Sequence, residues 1–207
     1  LSYVEVSSFV HPKWVPALAD ANDVFSELKR DPNVTYAALV PNQNGLERAF
    51  LQNVDEVNVF LSASESHNKS NINKSIKEAL VVIEDITKQA IFEGKKVRGY
   101  VSTVFGCPYE GDISATAVDE LCNQLFSYGI YEVSLGDTIG VANPLQVERV
   151  LEHLLKKYDA SQFAMHFHNT YGMALANVVK ALEYGITTFD SSCGGLGGCP
   201  YAPGASG

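Results

Sequence analysis

The chain has 207 residues, of which 46% are hydrophobic, enough to bury one sizeable core. Acids outnumber bases by 24 to 15, for a formal charge of −9. With no Lys/Arg cluster, this balance excludes nucleic acid and anionic membrane as natural partners. No apolar run approaches the roughly eighteen residues of a membrane span. The four cysteines, Cys107, Cys122, Cys193 and Cys199, contain no CxxC pair and are too few for a disulfide scaffold. They fit a reducing compartment, bacterial cytoplasm or mitochondrial matrix.

Short apolar or β-branched runs predict strands at 3–8, 34–40, 56–62, 96–103, 131–135, 163–168 and 187–191. Several read as near-continuous apolar stretches, such as Val57-Asn58-Val59-Phe60-Leu61, which suits parallel strands covered by helices. Between them, helices are predicted at 15–30, 43–52, 71–92, 114–128, from Pro144 onward, and at 172–184. In the longest, Ile72, Ile76, Leu80 and Ile83 form one stripe. Ser114 is placed as an N-cap, with Gly129 as the stop at the other end. Asn143 caps a helix whose first residue is Pro144, where the missing N–H costs nothing.

Seven strands alternating with six helices point to a (β/α)8 TIM barrel, α/β in class, in a chain shorter than the usual ~250 residues. The expectation is one catalytic barrel domain over 1–207, lacking its first strand and its C-terminal part. The rival is a doubly wound open sheet, which calls for a Gly-rich turn after the first strand. The sequence has Ser7-Ser8-Phe9-Val10-His11-Pro12 there instead. Polar residues also close many strands: Glu5 and Ser7, Asn42, Ser62, Ser64 and Glu65, Ser102 and Thr103, Asp137 and Thr138, His166, His168 and Asn169, Asp190, Ser191 and Ser192. A barrel turns all of these toward one mouth.

Alternation along a strand puts His166 and His168 on one face, so two imidazoles can share a metal ion, or can simply pair with neighbouring carboxylates. Asp137 ends a strand before a Gly-containing loop. It can serve as acid, base or partner of a histidine, or organise that loop through backbone hydrogen bonds. Glu5, between Val4 and Val6, points into the barrel as a functional acid or as half of a buried ion pair. Residues 194–207 hold six glycines and two prolines, the composition of a lid, or of a plain connector, carrying Cys199. The tetrapeptide Gly-Cys-Pro-Tyr occurs twice, at 106–109 and 198–201, with no internal repeat around it.

These segments together resemble 3-hydroxy-3-methylglutaryl-CoA lyase and its metal-dependent barrel relatives. The resemblance runs through Ser8 to Pro16, Arg98 to Ser102, Gly106 to Gly111, Ser134 to Gly140, His166 to Gly172 and the Gly-Gly-Leu-Gly-Gly-Cys-Pro-Tyr-Ala stretch at 194–202. It implies His166 and His168 as metal ligands, Cys199 as the loop cysteine, and Glu5, Asp137 and His166 as catalytic groups. It implies a divalent cation, Mg²⁺ or Mn²⁺, a CoA thioester substrate and a homodimer. It also implies an Arg-Asp pair before Leu1 and an asparagine ligand after Gly207. The reaction would be cleavage of the substrate to acetyl-CoA and acetoacetate. The alternatives are a condensing synthase of the same superfamily acting on acetyl-CoA and a 2-oxo acid, or an inactive truncated barrel.

Overall fold

The computed structural model describes residues 1–195 and 198–205. Seven strands form one parallel sheet in the order β1-β2-β3-β4-β5-β6-β7. They are β1 (Tyr3–Ser8), β2 (Thr35–Leu39), β3 (Glu56–Ser62), β4 (Lys96–Ser102), β5 (Glu132–Asp137), β6 (Phe163–Phe167) and β7 (Thr188–Phe189). The helices are α1 (Ala21–Glu27), α2 (Gln43–Leu51), α3 (Glu65–Ile72), α4 (Ile76–Phe92), α5 (Ala115–Ser127), α6 (Pro144–Leu154) and α7 (Ala174–Glu183). Each strand pairs with its successor in sequence, so the sheet has no point where the strand order reverses. That is the order of a (β/α) barrel and excludes the doubly wound alternative.

The helix starts follow local chemistry. Side chains of Asn42, Ser64, Ser75, Ser114 and Asn143 each accept a hydrogen bond from an N–H in the first turn of the helix they precede. Ser75 with Glu78, and Asn143 with Gln146, close full capping boxes.

Two predicted helices differ from those observed. The stretch 71–92 is interrupted: Asn73 adopts a left-handed φ of 55° and ends α3, and Ser75 caps α4. A periodic apolar stripe runs across that break and hides it. The stretch 15–30 contains only a 3-10 turn at Pro16–Leu18 and the seven residues of α1. At the strand ends, β5 runs two residues further than predicted and takes in Asp137, while β6 stops one residue before His168.

The core lies between the sheet and its helices. Val57, Val59 and Leu61 of β3, Val97 and Val101 of β4, Val133 and Leu135 of β5, and Phe163 and Met165 of β6 are all buried. They belong to one cluster with Leu80, Ile83 and Ile86 of α4, Leu121 and Leu125 of α5, and Val147, Leu151 and Leu154 of α6. Each such side chain contributes about 1.5–3 kcal/mol of burial. Gly99 of β4 lets α5 approach: a Cβ there would meet Leu125 and Ile130 side chains at 3.4 Å.

Candidate active site

Every second residue of the strands faces away from the helices, and on β3 to β6 those residues are mostly polar. Register brings them together. Arg98 on β4 is the strand partner of Asn58 on β3 and of Glu132 on β5. Its Nε donates to Glu132 Oε1 at 2.6 Å, its Nη2 to Asp190 Oδ1 at 2.9 Å, and its Nη1 to the Tyr100 hydroxyl at 2.7 Å. The guanidinium is 2% exposed, so a charge that would be costly alone is matched by two carboxylates.

Glu5 sits across this interior. Its Oε2 accepts from Asn58 Nδ2 at 2.6 Å and from the Tyr100 hydroxyl at 2.8 Å. Of the two sequence readings, the ion pair is not the one formed: the groups that touch Glu5 are neutral donors, and Arg98 reaches it through Tyr100. Glu5 is exposed to solvent, yet the protein atoms packed around its carboxyl push it above the usual range. The hydrogen bonds from Asn58 and Tyr100 oppose that shift.

The two histidines stand together at the strand ends, ring centroids 5.0 Å apart. His168 Nδ1 lies 2.8 Å from the Asp137 carbonyl oxygen. A carbonyl only accepts, so Nδ1 carries the proton and Nε2 keeps its lone pair. Burial holds the His168 pKa below the usual imidazole value, against the pull of that carbonyl, so the ring stays neutral. His166 Nδ1 faces Asp190 Oδ2 at 3.3 Å, the geometry that fixes the tautomer of a metal-binding imidazole. Burial resists ionisation of Asp190, but His166, Arg98 and the Ser134 hydroxyl together outweigh it and hold the carboxyl below its usual range. Two imidazoles anchored through Nδ1, with no partner on Nε2 among the described residues, fit a divalent cation. Among the described residues no cluster of three His, Cys, Asp or Glu completes its coordination.

Asp137 is 1% exposed and is the strand partner of Phe167, whereas Gly136 partners His166. Its side chain therefore lies on the other face of β5 from Ser134. The carboxylate accepts from the Val141 and Ala142 N–H groups at 3.0 and 3.2 Å, which are the loop-organising contacts of the second sequence reading. Burial pushes its pKa up to about 6, with those N–H groups pulling the other way. Gly140 closes this loop against the next strand. Its φ is +70°, and a Cβ would lie 2.7 Å from Thr170 Cβ and 3.0 Å from the His168 carbonyl.

The Gly-rich segment is described at 194–195 and 198–205, while Leu196, Gly197, Ser206 and Gly207 lie outside the described residues. Cys199 is partly exposed, and its carbonyl accepts from Ala202 N–H at 2.9 Å. The hydroxyl of Tyr201 lies 3.3 Å from Ser70 Oγ on α3. So His166, His168, Asp137 and, through the Arg98 network, Glu5 form one connected region. The hydrogen bonds of the described loop residues run to α3 and within the loop, not to the histidines.

Arg98, Tyr100, Asn58 and Ser134 are site residues that sequence reasoning passed over. The available signal was polar alternation in Glu56-x-Asn58 and Arg98-x-Tyr100-x-Ser102, masked in the first by reading Val57 to Leu61 as a near-continuous apolar run and in the second by giving the segment no role beyond the resemblance.

Fold and site define a parallel (β/α)-barrel protein with a two-histidine polar centre at the C-terminal ends of its strands. The chain belongs to the HMGL-like family, whose model matches residues 1–205. It is 58% identical to hydroxymethylglutaryl-CoA lyase YngG of Bacillus subtilis over 207 residues, all of this chain and 69% of that protein. The crystal structure of the Bacillus subtilis HMG-CoA lyase superposes with a TM-score of 0.97 at 58% identity, over all of this chain and 69% of the other. An HMG-CoA lyase from Acinetobacter baumannii, solved in complex with coenzyme A and 3-methylmalate, superposes with a TM-score of 0.94 at 42% identity, over 100% of this chain and 68% of the other.

Proposed function

We propose that this protein is a carbon–carbon lyase that cleaves 3-hydroxy-3-methylglutaryl-CoA to acetyl-CoA and acetoacetate, with residues 1–207 belonging to one catalytic barrel domain. The observation that carries the reading is the His166–His168 pair, each ring anchored through Nδ1 and with no partner on Nε2 among the described residues, in a member of the HMGL-like family. A CoA thioester as substrate is supported by the coenzyme A bound to the Acinetobacter baumannii relative.

His166 and His168 would hold a divalent cation, Mg²⁺ or Mn²⁺, through Nε2. When bound, the cation supplies Lewis-acid polarisation of the substrate hydroxyl and a neighbouring carbonyl oxygen. Around it the chain's own groups have separate tasks. Asp190 and the Asp137 carbonyl keep the Nδ1 protons in place, so the rings cannot turn their lone pairs away. With Nε2 given to the cation and its Nδ1 proton turned to Asp190, His166 acts as a ligand that polarises the reacting hydroxyl, and Asp137, whose pKa burial raises to about 6, is the acceptor for the proton leaving it. Glu5, raised by its surroundings and fixed by Asn58 and Tyr100, is a second acid facing the interior. As the carbon–carbon bond breaks, its electron pair stays on the acetyl-CoA fragment as an enolate. The Cys199 thiol then delivers a proton to the enolate carbon, and the hydroxyl carbon becomes the ketone of acetoacetate.

The test is replacement of each histidine. His166→Ala and His168→Ala should each lower turnover by about two orders of magnitude or more and reduce bound divalent cation, because each removes one ligand. Wild-type activity and metal stoichiometry in either variant would refute the assignment. Assay in both directions separates the lyase from a synthase: condensation of acetyl-CoA with a 2-oxo acid and no cleavage would replace the reading.

A further inference from the structure

The two Gly-Cys-Pro-Tyr tetrapeptides are far apart in sequence, but their tyrosines meet on one side chain. The Tyr109 hydroxyl lies 2.9 Å from Ser70 Oγ, and the Tyr201 hydroxyl lies 3.3 Å from the same atom. A serine hydroxyl has one proton and two lone pairs, so it can serve both. The rings pack as well: Tyr109 and Tyr201 lie edge to face, centroids 6.3 Å apart, and the His67 ring lies 4.5 Å from Tyr201. His67 is 1% exposed, and among the described residues neither ring nitrogen has a hydrogen-bond partner, so packing under the tyrosines defines its place.

The two tetrapeptides differ in how firmly they are held. Cys107 is buried, exchanges two backbone hydrogen bonds with Gly111 and donates its thiol to Ser64 Oγ at 3.0 Å. Tyr109 therefore projects from a fixed turn. The second copy lies in the Gly-rich segment, where glycine resists any preferred conformation. Among the described residues beside it only Ala202, at 2% exposure, is deeply buried, and a backbone hydrogen bond from Ala202 N–H to the Cys199 carbonyl closes the turn. Cys199 is two residues from Tyr201 in this turn.

We propose that Tyr201, seated against Ser70, Tyr109 and the His67 ring, is the positioning residue of the Cys199 loop: the first tetrapeptide is the fixed half of a latch and the second its moving half. Tyr201 touches no reacting atom. It sets how much of the time the turn carrying Cys199 is docked on α3. The catalytic consequence rests on the proton-donor role of Cys199 proposed above; the latch does not.

The experiment alkylates purified protein with iodoacetamide and compares the rates at Cys199 and at the exposed Cys193 by peptide mass spectrometry. Tyr201→Ala should raise the Cys199/Cys193 rate ratio about tenfold, because hydroxyl contact and ring packing are both lost. Tyr201→Phe keeps the ring and should raise it no more than about fivefold. Tyr109→Phe should also raise the ratio, although residue 109 is remote in sequence from the cysteine. In turnover, Tyr201→Ala should lower kcat with KM little changed, and Tyr201→Phe should restore most of the loss. An unchanged alkylation ratio in both Tyr201→Ala and Tyr109→Phe overturns the latch. A raised ratio with unchanged turnover keeps the latch and removes Cys199 from the chemistry instead.

Discussion

The two faces of this sheet are built on opposite principles. Outward residues such as Val59, Val101, Val133 and Leu135 are apolar and lie under α4, α5 and α6. Inward residues are Asn58, Arg98, Tyr100, Glu132, Ser134 and His166, joined by hydrogen bonds and ion pairs. The outer face gains its stability from area removed from water, and many side-chain choices of similar volume would serve it. The inner face gains little from area. It is held by partner matching, so each member depends on the one facing it. One set of strands thus carries a tolerant structural layer and an exacting chemical layer, a single Cα–Cβ bond direction apart.

Breaking the inner layer should have the largest effect. Arg98→Ala leaves Glu132 and Asp190 without their shared cation and should destabilise the protein by about 3–5 kcal/mol in urea unfolding. A loss below about 1 kcal/mol would mean that solvent already screens these charges, and the two faces would no longer differ in kind. Leu125→Ala tests the outer layer. Leu125 is 0% exposed and packs on the helix side of Gly99, and its truncation should cost about 2–5 kcal/mol, toward the lower end where neighbours close in. The comparison sharpens if turnover per folded molecule is normal in Leu125→Ala but depressed in Arg98→Ala, since only the second loosens Asp190 behind His166.

The smallest effect concerns pH. Burial raises the Glu56 carboxyl above its ordinary value, against hydrogen bonds from the Tyr3 and Tyr131 hydroxyls. Between the ordinary and the raised value, the native state keeps a proton that the unfolded state has released. Stability therefore falls as pH rises through that window, starting near 4.5. Glu56→Gln keeps an acceptor for the tyrosines and removes the titration. The dependence of the urea midpoint on pH should become shallower, with a change in stability within about 1 kcal/mol at the acid end. An unaltered slope would place the titration elsewhere on the inner face.

Legibility in the sequence divides along the same line. The strands were readable because β-branched runs alternate with amphipathic stretches, and Ser114 and Asn143-Pro144 mark helix starts by contacts within one turn. His166 and His168 were readable because two-residue spacing alone places them on one face. Asp137 was readable as a strand-end acid, but not that its carboxylate would be taken up by the Val141 and Ala142 N–H groups. The break at Asn73 went unseen because the apolar stripe passes through it unchanged.

The sequence by itself determined the seven strands in chain order, the caps at Ser114 and Asn143 and the family resemblance, because each depends on residues within a turn or a strand of one another. Only the tertiary structure decided that Arg98 pairs with Glu132 and Asp190 and not with Glu5, that Asp190 stands behind His166, and that Tyr109 and Tyr201 share Ser70. The physical reason is register and sheet curvature. They fix which distant strand or loop lies opposite a given side chain, and a polar group on an inward-facing position takes as partner whatever that geometry brings within about 3 Å.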